Sequence, residues 1–134
     1  MKLIPEGATA HFEVVVTDLM TVDFQQADAR LGRLHPVYAT YWLARHMELV
    51  SRKIILPYLE PGEEGIGCEL SVRHLASALP GMTLHFSATC ERHDGRRIYA
   101  RCRAVSELGD TIGEGSTTQV IARRDKLEAG FEQL

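Results

Sequence analysis

Three side chains that can carry nucleophilic or acid–base chemistry, Thr40, Glu48 and His74, lie far apart along the sequence. An imidazole exchanges protons near neutral pH, a carboxylate acts as a base or a nucleophile, and a hydroxyl becomes a nucleophile once a base accepts its proton. Gly67 precedes His74 and could bring backbone N–H groups close to a reacting atom. These four residues form the candidate site.

Three of these residues also have a purely structural interpretation. Thr40 could cap a helix by satisfying free N–H groups. His74 could be a core or interface histidine with one backbone partner, and Gly67 could be the glycine of a β-bulge. The residue types alone leave both interpretations open.

The element that must position the site is an apolar segment over residues 37–59. Its apolar side chains recur at helical spacing and share one face: Leu43, Met47, Val50 and Ile54. Pro36 suits a helix entry, and we expect Pro57 to end or kink the helix. Charged residues interrupt the segment and argue against a membrane span: Arg45, His46, Glu48, Arg52 and Lys53.

Glu48 is the unusual residue of this helix, because its face is otherwise small or apolar. The residues that share this face are Ala44, Ser51 and Ile55. We expect the carboxylate either to be half-buried or to lie at the core margin, paired with Arg45 or Arg52.

The spacing of Thr40 and Glu48 sets a geometric limit on any shared site. Eight residues separate them, which is about 12 Å on one straight helix. Direct contact would require the helix to begin after Thr40 and the chain to fold back. The alternative, which we favour, is a site that combines residues from two subunits.

The rest of the sequence predicts an antiparallel sheet. Residues 10–16 form a first strand, 17–23 continue it or form a neighbouring strand, and 25–35 form a loop. Four further strands are predicted at 66–78, 82–93, 97–107 and 111–122, and a short helix or tail at 126–134. Alternation predicts the inward side chains of the central hairpin: Leu84, Phe86, Ala88, Cys90, Ile98, Ala100, Cys102 and Ala104. One long helix against one curled sheet is an α+β architecture, and its long edge strand favours a homodimer.

Length and composition limit the classes of protein to which this sequence can belong. The 134 residues suit one domain spanning 1–134, and the net charge of −3 gives no bulk attraction to nucleic acid or membranes. The N-terminal residues lack a signal-peptide pattern, so we expect a cytoplasmic protein. No zinc, Walker, Rossmann or GxSxG motif occurs, and we expect neither a metal nor a cofactor.

The three cysteines, Cys68, Cys90 and Cys102, do not form a CxxC pair. We expect buried free thiols, as is usual in a reducing compartment. Cys90 and Cys102 lie on opposite arms of a predicted hairpin, so a pairing between them is the alternative.

Several motifs together resemble one family across residues 10–127. They are Tyr38-Ala39-Thr40, Met47-Glu48, the PYLEPGE run at 57–63, Gly67, Val72-Arg73-His74, Pro80-Gly81, Gly95-Arg96-Arg97 and Ile112-Gly113-Glu114-Gly115. This set resembles the hotdog-fold acyl-CoA thioesterases of the fluoroacetyl-CoA thioesterase type. The resemblance implies a curled antiparallel sheet around one long helix, paired into a dimer, with a tetramer as the alternative.

The resemblance also assigns residues. It implies that Thr40, Glu48 and His74 are catalytic and that Gly67 lies close to the thioester carbonyl. It puts Leu34 at the position of an aromatic gate and Gln119 at that of an arginine in the last strand. Those two differences argue against fluoroacetyl selectivity and leave thioester hydrolysis in place.

The substrate implied is an acyl-CoA, with coenzyme A as part of the substrate. Tyr41 is a candidate for the pocket wall, together with Leu34. Basic residues should meet the CoA phosphates, and the candidates are Arg96 and Arg97, with Arg92, Arg123 and Arg124 as further possibilities.

Two other functions stay open at this stage. One is a hotdog protein that binds an acyl-CoA or another small ligand without turnover. The other is a hotdog hydratase or dehydratase, which we rank lower because the Asp-x-Asn-Pro-x-His-like motif of that group is absent.

Overall fold

The structure is a computed structural model that describes all 134 residues. An antiparallel sheet packs on one long helix. The strands are β1 (Thr9–Val15), β2 (Thr21–Asp23), β3 (Arg33–Tyr38), β4 (Glu63–His74), β5 (Thr83–His93), β6 (Arg97–Ser106) and β7 (Thr111–Arg123). The helices are α1 (Thr40–Ile55) and α2 (Arg124–Phe131), with 3₁₀ turns at Asp18–Met20 and Leu56–Tyr58. Neither helix is long and apolar enough to cross a membrane.

Five strands form the main sheet in the order β1-β5-β6-β7-β4, and β2 and β3 form a separate two-stranded sheet. Every pairing is antiparallel. Helix α1 contacts all five strands of the main sheet. The predicted α+β class is therefore confirmed, and β4, the strand that ends in His74, lies at one edge of the sheet.

The predicted alternation of the central hairpin is confirmed. All eight side chains predicted to face inward on β5 and β6 are buried. Cys90 pairs with Ala100, and Cys102 pairs with Ala88, so the two thiols are not directly opposite, and both are free. Cys68 is exposed, which corrects the expectation that all three thiols are buried; it lies where a bulge interrupts edge strand β4.

Helix α1 is shorter than the apolar segment suggested. Tyr38 belongs to β3, where it pairs with Thr21 of β2, and its N–H donates to the carbonyl oxygen of Ala78 at 2.8 Å. The predicted loop over 25–35 consequently contains the first residues of β3. Ala39 precedes the first turn of α1 without a side-chain cap, so Thr40 is the first helical residue and not its cap. At the other end, Pro57 lies in the 3₁₀ turn that follows the helix.

Glycines on β7 let α1 lie close to the sheet. A Cβ atom at Gly113 would be 2.6 Å from Cδ2 of Leu43, and one at Gly115 would be 3.0 Å from the sulfur of Met47. Because the helix packs this closely, side chains on its flank reach the backbone of β4.

A buried histidine occupies the centre of an aromatic cluster on α1. His46 is 4% exposed, and its Nδ1 shares a hydrogen bond with the Tyr38 hydroxyl. Its ring also contacts those of Phe12, Trp42 and Phe86. Burial and the neighbouring Arg45 lower the pKa of His46 to about 4, so this imidazole is neutral in the folded protein.

The neutral state of His46 predicts a pH-dependent stability. Its folded pKa lies below the unfolded value of about 6.5, so its contribution is complete above that pH and is lost as the pH falls toward 4. Between pH 7 and pH 5 we expect the parent protein to lose about 2 kcal/mol more unfolding free energy than His46→Leu. Urea unfolding at both pH values measures this, and equal losses would contradict it.

Candidate active site

Thr40 and His74 meet although 34 residues separate them. Thr40 begins α1, and His74 ends β4. Thr40 Oγ1 and His74 Nδ1 are 2.9 Å apart, a hydrogen-bond distance. The pair is a hydroxyl in direct contact with a base, the arrangement that activates an oxygen nucleophile.

The surroundings of His74 favour its neutral form. Burial lowers its pKa, and the nearby Ala76 backbone has a smaller effect in the opposite direction. The ring of Tyr38 packs edge-on against the imidazole, with 6.3 Å between ring centroids. Nε2 of His74 is buried without a well-aligned hydrogen-bond partner. At neutral pH the ring can therefore accept a proton from the Thr40 hydroxyl or from water.

Glu48 lies against Gly67 on the flank of α1. A Cβ atom at Gly67 would be 2.5 Å from Glu48 Oε1, so the absence of a side chain there is what admits the carboxylate. The register of β4 shifts directly after Gly67, where Cys68 has no paired residue on β7, so a bulge lies next to this glycine.

The intrahelical ion pair considered for Glu48 is not formed. Arg52 donates to the carbonyl oxygen of Gly65 at 2.6 Å, and the Arg45 guanidinium lies over the Trp42 ring. Glu48 is exposed and makes no salt bridge, which corrects the expected pairing. Its carboxylate is therefore available to a ligand.

A cavity of about 230 Å³ opens beside Glu48. It is lined from α1, β4 and β7 by Glu48, Gly67, Cys68, Glu69, Leu70, Thr117, Thr118 and Gln119. Thr117 and Gln119 were not predicted as pocket residues from their pattern. The signal was the period-two alternation of β7, which turns Gly113, Gly115, Thr117 and Gln119 toward the helix.

One chain brings the four candidates together as two separate pairs. Thr40 and Glu48 both lie in α1, so they are about 12 Å apart along the helix axis. The fold-back alternative is therefore excluded. Thr40 with His74 lies at the C-terminal end of β4, and Glu48 with Gly67 lies near the middle of the same strand.

The remaining predicted residues lie around these pairs. Leu34 is half-exposed in β3 and lines a cavity between that strand and the 3₁₀ turn at Asp18–Met20. Tyr41 is tied to β2, because its hydroxyl accepts a hydrogen bond from the Asp23 N–H at 3.0 Å. Arg96 and Arg97 are exposed on the β5–β6 hairpin, and Arg97 Nη1 is 4.0 Å from the sulfur of Cys68.

The other arginines considered for binding the CoA phosphates already contact side chains of this chain. Arg124 pairs with Glu64 at 2.6 Å, Arg123 pairs with Asp125, and Arg92 lies over the ring of Tyr99. No cluster of three or more histidine, cysteine or carboxylate side chains is arranged to hold a metal.

Solved structures of similar chains define the class of protein. A hypothetical protein from Thermus thermophilus, a thioesterase superfamily member, is 57% identical, with a TM-score of 0.94 over 99% of this chain and 94% of that chain. The fluoroacetyl-CoA thioesterase FlK is 28% identical, with a TM-score of 0.91 over 98% of each chain. The α+β fold with its single long helix is thus that of the hotdog thioesterase superfamily.

The sequence comparison narrows this class to one family. The fluoroacetyl-CoA-specific thioesterase family matches residues 16–125. The fluoroacetyl-CoA thioesterase of Streptantibioticus cattleyicolor is 33% identical over 97 residues, which are 72% of this chain and 69% of that protein. The chain belongs to this family and is a thioester hydrolase, which confirms the resemblance, the fold and the enzyme class predicted from its motifs.

Proposed function

We propose that the protein hydrolyses an acyl-CoA thioester at a site shared by two copies of the chain. Thr40 and His74 of one subunit would face Glu48 and Gly67 of the other. The observation that carries the proposal is the 2.9 Å contact between Thr40 Oγ1 and His74 Nδ1. It pairs a nucleophilic oxygen with a base at the end of β4, an edge strand of the sheet.

The edge position of β4 supports the dimer. Its twelve residues leave one side of the strand without a partner in the chain, and Ile66 and Leu70 are exposed along it. An edge of this length is usually covered in proteins. Antiparallel pairing of β4 with its copy, about a twofold axis between Leu70 and Ser71, would bring Gly67 opposite the partner subunit's His74. The two half-sites would then become two complete ones.

The proposed chemistry follows from the protonation states. Neutral His74 accepts the proton of the Thr40 hydroxyl, or of a water held by it, as the oxygen attacks the thioester carbonyl. Backbone N–H groups near Gly67 or at the start of α1 stabilise the oxyanion. His74 then returns the proton to the departing thiolate of coenzyme A. If the Thr40 oxygen attacks, a water then hydrolyses the acyl-threonine, and the proton that this water gives up passes to the Thr40 oxygen as it leaves; if water attacks, the free acid forms directly. Glu48, on the other side of the cleft, accepts the proton of the water, or it attacks in place of the Thr40 oxygen and forms a mixed anhydride that water hydrolyses.

The CoA phosphates would lie at the β5–β6 hairpin. Arg96 and Arg97 have no carboxylate partners, unlike Arg123 and Arg124. Arg97 also lies beside Cys68 at the mouth of the cavity next to Glu48. Free guanidinium groups are the side chains best suited to phosphate oxygens.

A panel of acyl-CoA thioesters, followed by release of the CoA thiol, tests the proposal. We expect steady thiol release with at least one short acyl group, from a protein that is dimeric or larger by light scattering. Binding without thiol release would instead support a non-catalytic acyl-CoA binder. A monomer with full activity would exclude the shared site.

A further inference from the structure

We infer that the cavity beside Glu48 receives a short, uncharged acyl group that bears a hydroxyl, and that Gln119 selects for that hydroxyl. This inference rests on the proposed thioester hydrolysis and names its substrate class. It starts from the polar side chains that β7 places at the buried end of the cavity.

Gln119 is 1% exposed, and its Oε1 atom has no hydrogen-bond partner. Thr117 is 4% exposed, and its Oγ1 has only the thiol of Cys102 nearby, a weak hydrogen-bonding group. Both residues line the cavity that contains Glu48 and Gly67. Two residues of the cavity wall thus carry buried oxygens, and neither oxygen makes a strong hydrogen bond.

An unpaired buried amide oxygen is unfavourable for folding, because it has lost its water without gaining a partner. A leucine of similar size would avoid this loss and would pack against Ile55, which also lies beside Gly65 near the amide. Glutamine at this position therefore points to a ligand that supplies the missing partner.

The lining of the cavity restricts what that ligand can be. A carboxamide both donates and accepts hydrogen bonds, and so does an alcohol. The carboxylates of Glu48 and Glu69 disfavour an acyl group that ends in a negative charge. Cys68 and Leu70 are the two apolar side chains of the lining, too few to form a channel for a long alkyl chain. A short hydroxyacyl group meets all three conditions.

The test compares acyl-CoA pairs that differ by one hydroxyl: 2-hydroxyacetyl-CoA with acetyl-CoA, and 3-hydroxybutyryl-CoA with butyryl-CoA. We expect kcat/KM to favour the hydroxylated member of at least one pair by about tenfold. In Gln119→Leu this preference should fall to about one, with an equal or higher melting temperature. Ser116→Ala, on the exposed face of the same strand, should keep the parent preference.

The outcomes separate this inference from the proposed function. Hydrolysis without a hydroxyl preference, or a preference that survives in Gln119→Leu, would overturn the inference and leave thioester hydrolysis standing. If the protein hydrolyses none of the thioesters, the proposed function fails. In that case, calorimetry measures the affinity of the protein for each member of the same pairs. Tighter binding of the hydroxyacyl member supports the inference that the cavity receives a hydroxyacyl group, and equal affinities contradict it.

Discussion

His74→Ala is expected to lower kcat for acyl-CoA hydrolysis by about 10²–10⁴-fold, the usual contribution of a positioned general base. The reason is that the Thr40 hydroxyl loses the imidazole nitrogen 2.9 Å away that accepts its proton. Thiol release under saturating acyl-CoA measures the effect. KM should change much less, because the imidazole acts in the transition state.

The matched control for this variant is His85→Ala. His85 is an exposed histidine on β5 that faces Glu13 at 3.3 Å, away from the site. It should hydrolyse acyl-CoA at the parent rate. If His74→Ala and His85→Ala behaved alike, His74 would have no catalytic role.

The pH dependence of the parent enzyme provides a second measurement on the same residue. Burial lowers the pKa of His74, and the base must be neutral to accept a proton. The acid limb of kcat/KM should therefore lie below pH 6.5, the ordinary histidine value, with activity rising as the pH increases through it.

Mixing two inactive variants is expected to restore activity. Glu48→Ala keeps Thr40 and His74, whereas His74→Ala keeps Glu48 and Gly67. In a mixed dimer, one of the two shared sites would contain an intact His74 from one subunit and an intact Glu48 from the other. With random assortment at equal amounts, activity should recover to about a quarter of the parent level.

The mixing experiment distinguishes a site shared by two subunits from a site that lies within one chain. Co-expression, or refolding of the two variants together, followed by thiol release, provides the measurement. Each variant mixed only with itself is the control and should stay inactive. Failure to recover activity in verified mixed dimers would mean that each site lies within one chain, which would contradict the shared site.

The sequence and the structure agree best where structure is set by close neighbours in the chain. The helical spacing of Leu43, Met47 and Val50 predicted the buried face of α1, and all three side chains are fully buried. The alternation of apolar side chains over 82–93 and 97–107 predicted the β5–β6 hairpin. Such patterns depend on side-chain direction within one element, which the backbone geometry determines.

The boundary of α1 and the partners of Glu48 were harder to predict. Tyr38 is extended because a distant carbonyl, that of Ala78, accepts its N–H. Arg52 turns from Glu48 to the Gly65 carbonyl because β4 passes beside it. Both outcomes depend on backbone groups that are remote in sequence, so no local pattern contains them.

The amino-acid sequence by itself determined the α+β class, the family motifs and the residue types able to hydrolyse a thioester. Tertiary structure alone decided which of them meet: Thr40 with His74, Glu48 with Gly67, and Gln119 at the wall of the cavity. The physical reason is that helix and strand periodicity come from neighbouring residues. Contacts across the fold depend instead on strand register, on the bulge after Gly67 and on how closely α1 packs against β4.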